Sequence, residues 1–131
     1  MTYPPIPVRR GVVRTDKPWG HELLWALTDK YAAKILTIAP GCLLSLQYHR
    51  AKEETIYVLQ GRLALTYRGA DDDGMPTTVP IERVLEPGDT FHVPPLMHHR
   101  FAALEEMVVL LEVSTPELSD VVRIEDRYGR V

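Results

Sequence analysis

The sequence predicts an all-β fold in a single domain, and three observations predict it. Eleven prolines and eight glycines in 131 residues leave little room for long helices. The segments between them are short and rich in Val, Ile, Thr and Tyr, residues that suit a pleated, half-buried surface. Turn signals recur about every 8–12 residues, the spacing of all-β domains.

The elements follow in chain order. Met1–Gly11 reads as an arm packed on the surface or on a partner. Ala33–Ala39 is the first strand, closed by the turn Ala39-Pro40-Gly41. Leu43–Tyr48 follows, then a polar bend, Arg50-Ala51-Lys52-Glu53, and the strand Glu54–Leu59 up to Gln60-Gly61. Arg62–Tyr67 leads into the most polar stretch, 68–80, with Asp71-Asp72-Asp73-Gly74 at its tip. The alternating acids and distant glutamate of a calcium loop are missing, so this is a solvated hairpin tip. Thr78–Val84, the turn Glu86-Pro87-Gly88-Asp89, Thr90–Val93, Pro94-Pro95, Arg100–Ala103 and Met107–Val113 complete the strands. The tail opens with a helix-capping signal, Ser114 or Thr115 before Pro116, and reads as a helical turn followed by an extended piece. The domain spans 1–131, with a core of about 31–114.

The bulk properties exclude several classes. A net charge of −3 and no large basic patch argue against nucleic acid. Prolines occupy the place where a signal peptide needs an apolar core, and no apolar run approaches a membrane span. The lone Cys42 forms no internal disulfide and reads as a packed core thiol. Together these lead us to expect a cytoplasmic protein without a membrane or nucleic-acid partner.

Two blocks carry chemistry. Strand side chains alternate faces, so Ser45, Gln47 and His49 point one way and Leu46 and Tyr48 the other. Glu54 starts the next strand, and a hairpin would return it beside His49. The second block runs from Glu86 to His99. In it Phe91 and Val93 face the core and His92 the opposite side. His49 and His99 offer imidazoles, Glu54 a carboxylate and Gln47 an amide oxygen. Two histidines and a carboxylate suit Zn, Mn, Fe, Co or Ni with positions left open for substrate. The same set matches the facial triad of iron oxygenases. Glu53 reads as exposed, His21 and His92 as surface or interface residues, and His98 as a rim or surface residue.

These blocks resemble the two motifs of the cupin family. The first is Gly41, five residues, Gln47, Tyr48, His49, four residues, Glu54, six residues, Gly61. The second is Gly88-Asp89, then Val93-Pro94-Pro95, with Leu96 where the family has glycine, and His99. Pro18-Trp19-Gly20, Leu44-Ser45-Leu46-Gln47-Tyr48-His49, Leu111-Glu112-Val113 and the run from Val122 to Arg130 are similar to the mannose-6-phosphate isomerase branch, in particular the isomerase domain at the C-terminus of mannose-1-phosphate guanylyltransferases. That branch carries Gln-x-His. Its additional histidines are absent here, at Arg50, Ala51 and Thr55.

The resemblance implies a single cupin β-barrel, a double-stranded jelly roll with its metal in the mouth, and a homodimer. It also implies a divalent metal on Gln47, His49, Glu54 and His99 and aldose–ketose isomerisation of a sugar or sugar phosphate. The proton-moving base is unassigned, with His98 and Glu53 as candidates. Lys34, Lys52, Arg50 and Arg100 are cations available to a phosphate. Lys34 and Glu112 sit in apolar strands, where they pair with each other, face the ligand cavity, or face solvent. A sugar-binding cupin without turnover and a metal-dependent oxygenase remain alternatives.

Overall fold

The computed structural model describes residues 11–131. All but the last residue of the expected N-terminal arm therefore lies outside the described residues. Eleven strands and no helix are present among them: β1 (Val13–Lys17), β2 (Gly20–Leu27), β3 (Ala32–Ile38), β4 (Leu46–Tyr48), β5 (Glu54–Gln60), β6 (Leu63–Arg68), β7 (Ile81–Leu85), β8 (Thr90–Val93), β9 (His98–Ala103), β10 (Val108–Ser114) and β11 (Val122–Glu125). They form two antiparallel sheets, ordered β1-β2-β3-β10-β5-β8 and β11-β4-β9-β6-β7. The sheets are the two walls of a jelly-roll barrel.

The inward-facing residues divide the barrel into two levels. On β10 they run Val108, Leu110, Glu112; their β3 partners are Ile38, Leu36 and Lys34. On β5, Val58 and Ile56 precede Glu54, and on β9 Phe101 precedes His99. Each strand therefore passes from a buried aliphatic or aromatic residue to a polar one at about the same height. Leu36, Ile38, Ile56, Val58, Leu63, Leu65, Phe101, Val108 and Leu110 form the apolar core at one end. The polar level at the other end holds the candidate site.

Several boundaries differ from the sequence reading. β1 and β2 were not expected. β1 is polar and almost wholly exposed, and a bulge between Leu24 and Ala26 breaks the alternation of β2. The turn Pro18-Trp19 buries Trp19 in the core. Gly20 has φ 150°, and a Cβ there would lie 2.0 Å from the Thr37 carbonyl oxygen, so only glycine fits. The tail has no helix. After a turn at 116–120 it becomes β11, which pairs with β4. The Asp-rich tip is exposed as expected, and the Asp71 carboxylate accepts from the Asp73 and Met75 amides, each at 2.9 Å. Cys42 is half-buried against the core.

Candidate metal centre

The two histidines and the glutamate meet inside the barrel, but not through a hairpin. β4, which leads to His49, and β5, which starts at Glu54, belong to opposite sheets. The bend 49–53 crosses from one wall to the other, so His49 and Glu54 face each other across the interior. His99 joins from β9, where it pairs in register with Gln47. All three are buried, and their ligand atoms lie within 4.8 Å of one another.

Hydrogen bonds decide which imidazole nitrogen is free. His49 Nδ1 lies against the backbone carbonyl of Asp120, and His99 Nδ1 against that of Met97 at 3.0 Å. A carbonyl only accepts, so each Nδ1 carries the proton and each Nε2 keeps a lone pair. Glu54 Oε1 lies 3.8 Å from His49 Nε2 and 3.2 Å from His99 Nε2. None of these three buried atoms has a hydrogen-bond partner. Three converging lone pairs without a donor repel one another and leave polar atoms unsatisfied. A divalent cation between them resolves both, so the set fits a metal. The opposite carboxylate oxygen, Oε2, receives Lys52 Nζ at 3.2 Å. Gln47 lines the same cavity, and its side-chain oxygen accepts from Ser45 Oγ at 2.6 Å.

Electrostatics hold Glu54 ionised. Burial pushes its carboxyl up; protons or positive charge on the His49 and His99 side, with the Glu112 carboxyl, hold it well below the usual range, and a cation held by the two Nε2 atoms would act in the same direction. Glu112 goes the other way: burial and the Glu54 charge push it well above. Burial disfavours the Lys52 ammonium, yet the Glu112 and Glu54 carboxyls keep its pKa raised.

Through His49 and Gln47 the centre borders a cavity of about 100 Å³, lined also by Lys17, Trp19, Glu22, Lys34, Leu36, Leu44, Lys52, Glu112, Leu118, Val121, Arg123 and Arg130; Glu54 and His99 are not in that lining. Lys34 and Glu112 are cross-strand partners and both face this cavity. Lys34 instead pairs with Glu22, Nζ to Oε1 at 3.1 Å. Arg130 is bound by Asp126 through two nitrogens, at 2.7 and 2.9 Å. Lys17, Glu22, Arg123 and Arg130 escaped the sequence reading. For Arg123 the alternation Val122-Arg123-Ile124 was the available signal.

Three expected site residues lie elsewhere. Arg100 is on the outer face of β9, because His99 and Phe101 take the inner one; its Nε donates to the Leu44 carbonyl at 3.0 Å. His98 is fully buried rather than on the rim. Its ring stacks on Tyr48 at 5.0 Å, and its Nε2 meets the Gly74 carbonyl at 2.8 Å. Gly74 comes so close that a Cβ would lie 2.7 Å from the Tyr48 ring, so the polar hairpin folds down over His98. Glu53 is exposed and pairs with His92 at 2.7 Å outside the cavity. Neither His98 nor Glu53 lines it, and both lose their place as candidate bases. Arg50 lies over the Tyr48 ring and is exposed.

The C-terminal segment secures the bend that carries these ligands. The Asp120 carboxylate accepts from the backbone amides of Arg50, Ala51 and Lys52 at 3.0, 2.7 and 2.9 Å. Thr115 brackets Glu53 on both sides: its Oγ1 accepts from the Glu53 amide and its amide donates to the Glu53 carbonyl, each at 3.0 Å. Leu96, at the family's glycine position, has φ 72° and donates its amide to the His49 carbonyl at 2.7 Å.

Comparison with known proteins places this geometry. A mannose-1-phosphate guanylyltransferase, ManC of Salmonella typhimurium, is 30% identical over 119 residues; the match covers 88% of this chain and 22% of that protein. Among solved structures, KdgF from Halomonas sp. superposes with a TM-score of 0.66 at 23% identity, covering 80% of this chain and 86% of that one. The oxalate decarboxylase of Bacillus subtilis, described with Mn(II) centres, gives a TM-score of 0.69 at 20% identity over 85% of this chain and 29% of that one. Both share the fold. The model of the cupin domain family matches residues 34–114, which run from the cavity lysine of β3 to the end of β10 and include all three converging ligands. The chain belongs to the cupin domain family.

Proposed function

We propose that this chain is a metal-dependent isomerase that interconverts the aldose and ketose forms of a sugar phosphate. The observation that carries the reading is the set of three unpartnered ligand atoms, one of them on His49 in the wall of a cavity whose lining holds five cationic side chains. His49, Glu54 and His99 would hold the metal, with Gln47 as a further oxygen donor. A bound divalent ion supplies Lewis-acid polarisation of the sugar oxygens. Lys52 holds Glu54 in place, and the apolar walls from Trp19, Leu36 and Leu44 keep water from the reacting end. Glu112 faces the cavity beside Glu54 and is the carboxyl positioned to exchange a proton with a sugar oxygen. The similarity to ManC supports the sugar-phosphate class.

A homodimer belongs to the same proposal. The outer face of the six-stranded sheet exposes Trp25, Tyr57 and Val113, an apolar surface suited to a second copy. Light scattering at micromolar concentration reads the mass.

The deciding experiment loads the protein separately with Zn(II), Mn(II), Co(II) and Fe(II) and assays a panel of aldose and ketose phosphates. Turnover that disappears with a chelator and in His49→Ala supports the proposal. No turnover with any loaded metal sinks it, and oxygen uptake confined to the Fe(II) form assigns the site to oxygenase chemistry.

A further inference from the structure

We infer that Lys17 and Arg123 form an oxyanion clamp at the mouth of the cavity, taking the anionic group of a ligand whose other end reaches the metal centre. The inference deepens the isomerase reading and rests on it for the ligand's far end. Lys17 ends β1 and Arg123 lies on β11, so they approach from the edge strands of opposite sheets. Both line the cavity and both are half-buried.

What separates them from the other cationic side chains is their lack of partners. Lys34, Lys52 and Arg130 are each committed to a carboxylate within 3.2 Å. Among the described residues no carboxylate lies within ion-pairing distance of Lys17 or Arg123. The Arg123 Nε is buried and has no hydrogen-bond partner. An unsatisfied buried donor on a guanidinium is costly unless a ligand supplies the acceptor. The chain as a whole carries net charge −3, so two spare cations at one cavity mouth run against its overall balance.

Position and size agree. Arg123 is the register partner of Gln47, which in turn pairs with His99. The guanidinium is therefore one strand from the metal ligands, on the same inner surface. A cavity of about 100 Å³ is small beside the 300–1,000 Å³ of ordinary ligand pockets. It admits the reacting end of a sugar and leaves a charged substituent at the rim, where the two cations are. An arginine fork with a lysine point charge suits a phosphate ester; a sugar-acid carboxylate offers the same oxyanion chemistry.

The test titrates inorganic phosphate, and separately acetate, into the full chain loaded with Zn(II) and freed of excess metal, followed by calorimetry. Wild type, Lys17→Met, Arg123→Met, Arg123→Lys and the exposed control Lys30→Met are compared. Saturable phosphate binding should weaken by about 10- to 100-fold in each methionine variant, the scale of one lost charge-assisted contact. Arg123→Lys should recover part of it, and the control should bind as wild type. Zinc content should stay unchanged in all five, which separates the clamp from the metal site and reports intact folding. Phosphate bound more tightly than acetate identifies a phosphate ester; equal binding identifies a carboxylate. Wild-type protein that binds neither anion, or methionine variants that bind as wild type, overturns the clamp. If the clamp holds and no sugar phosphate is turned over, the isomerase reading falls while this one stands.

Discussion

Replacing Asp120 by alanine should loosen the metal centre without touching a ligand. Its carboxylate accepts three successive amides, from Arg50, Ala51 and Lys52, in the bend between His49 and Glu54. Each such bond is worth about 0.5–1.5 kcal/mol net, and two of the three are solvent-exposed, so their sum is about 2 kcal/mol. In a domain of this size that lowers Tm by roughly 6–10 °C. Loss of an outer partner of a ligand typically costs about 10- to 100-fold in metal affinity. The His49 contact uses the Asp120 backbone carbonyl, which alanine retains, so about tenfold is expected. Thermal melts followed by circular dichroism and zinc competition against a chromophoric chelator read the two quantities. The pH dependence carries a sign. Burial pushes the Asp120 carboxyl up, but the three amides outweigh it and its folded pKa lies below the ordinary 3.8. Its stabilisation is therefore full above that value and lost as pH falls through the folded one, so the difference between wild type and variant should be constant above about pH 4 and shrink progressively below it. Asp120→Ala that melts lower yet binds zinc like wild type would refute the link between tail and metal.

Four further outcomes follow from the geometry. His99→Ala should drop bound metal to background after desalting, measured by elemental analysis, while the strands persist. In metal-free protein Glu112→Gln should raise Tm near pH 8 and change it little near pH 4. A carboxyl with a raised folded pKa loses stability as pH rises above its unfolded value, and Gln removes that loss; a pH-independent difference would argue against it. Leu96→Gly should stabilise by up to about 1 kcal/mol in denaturant melts, because it relieves a positive φ at the cost of part of a half-buried side chain. Gly20→Ala should cost about 2–4 kcal/mol, since its methyl would meet the Thr37 carbonyl; an unperturbed melt would mean that the β1–β2 turn is not held as described.

The all-β class was legible because proline and glycine punctuate a chain of β-branched segments. The ligand set was legible because His49, Glu54 and His99 keep fixed spacings to Gly41, Gly61 and Gly88. What escaped depends on where strands lie in space. β1 and β2 were missed because an edge strand with one face in water has no need of apolar alternation, and a bulge shifts the period of its neighbour. His98 was placed on the rim because alternation says only that it faces away from His99. It does so, but the outer surface there is covered by the Asp-rich hairpin through Gly74. Arg100 was offered to the cavity on its charge alone; alternation from His99 puts it on the outer face, where the structure has it.

The assembly of the site explains why its ligands belong to distant parts of the chain. A metal centre needs donors converging from several directions, and one sheet offers parallel side chains on one face only. Glu54 reaches in from the six-stranded wall; His99 belongs to the five-stranded one and His49 directly follows its strand β4. The lone pairs converge only if the two walls keep a fixed offset at this height. The bend 49–53 spans the gap, and a bend is the least rigid way to set such an offset. Asp120 and Thr115 supply the missing constraint by pinning that bend to the strand leaving β10 and to the segment entering β11, one in each wall. The tail is thus part of the centre in a mechanical sense. Shortening the chain after Ser114 should abolish zinc binding even though every ligand remains, and a truncated chain that still held stoichiometric zinc would show that the bend fixes the offset by itself.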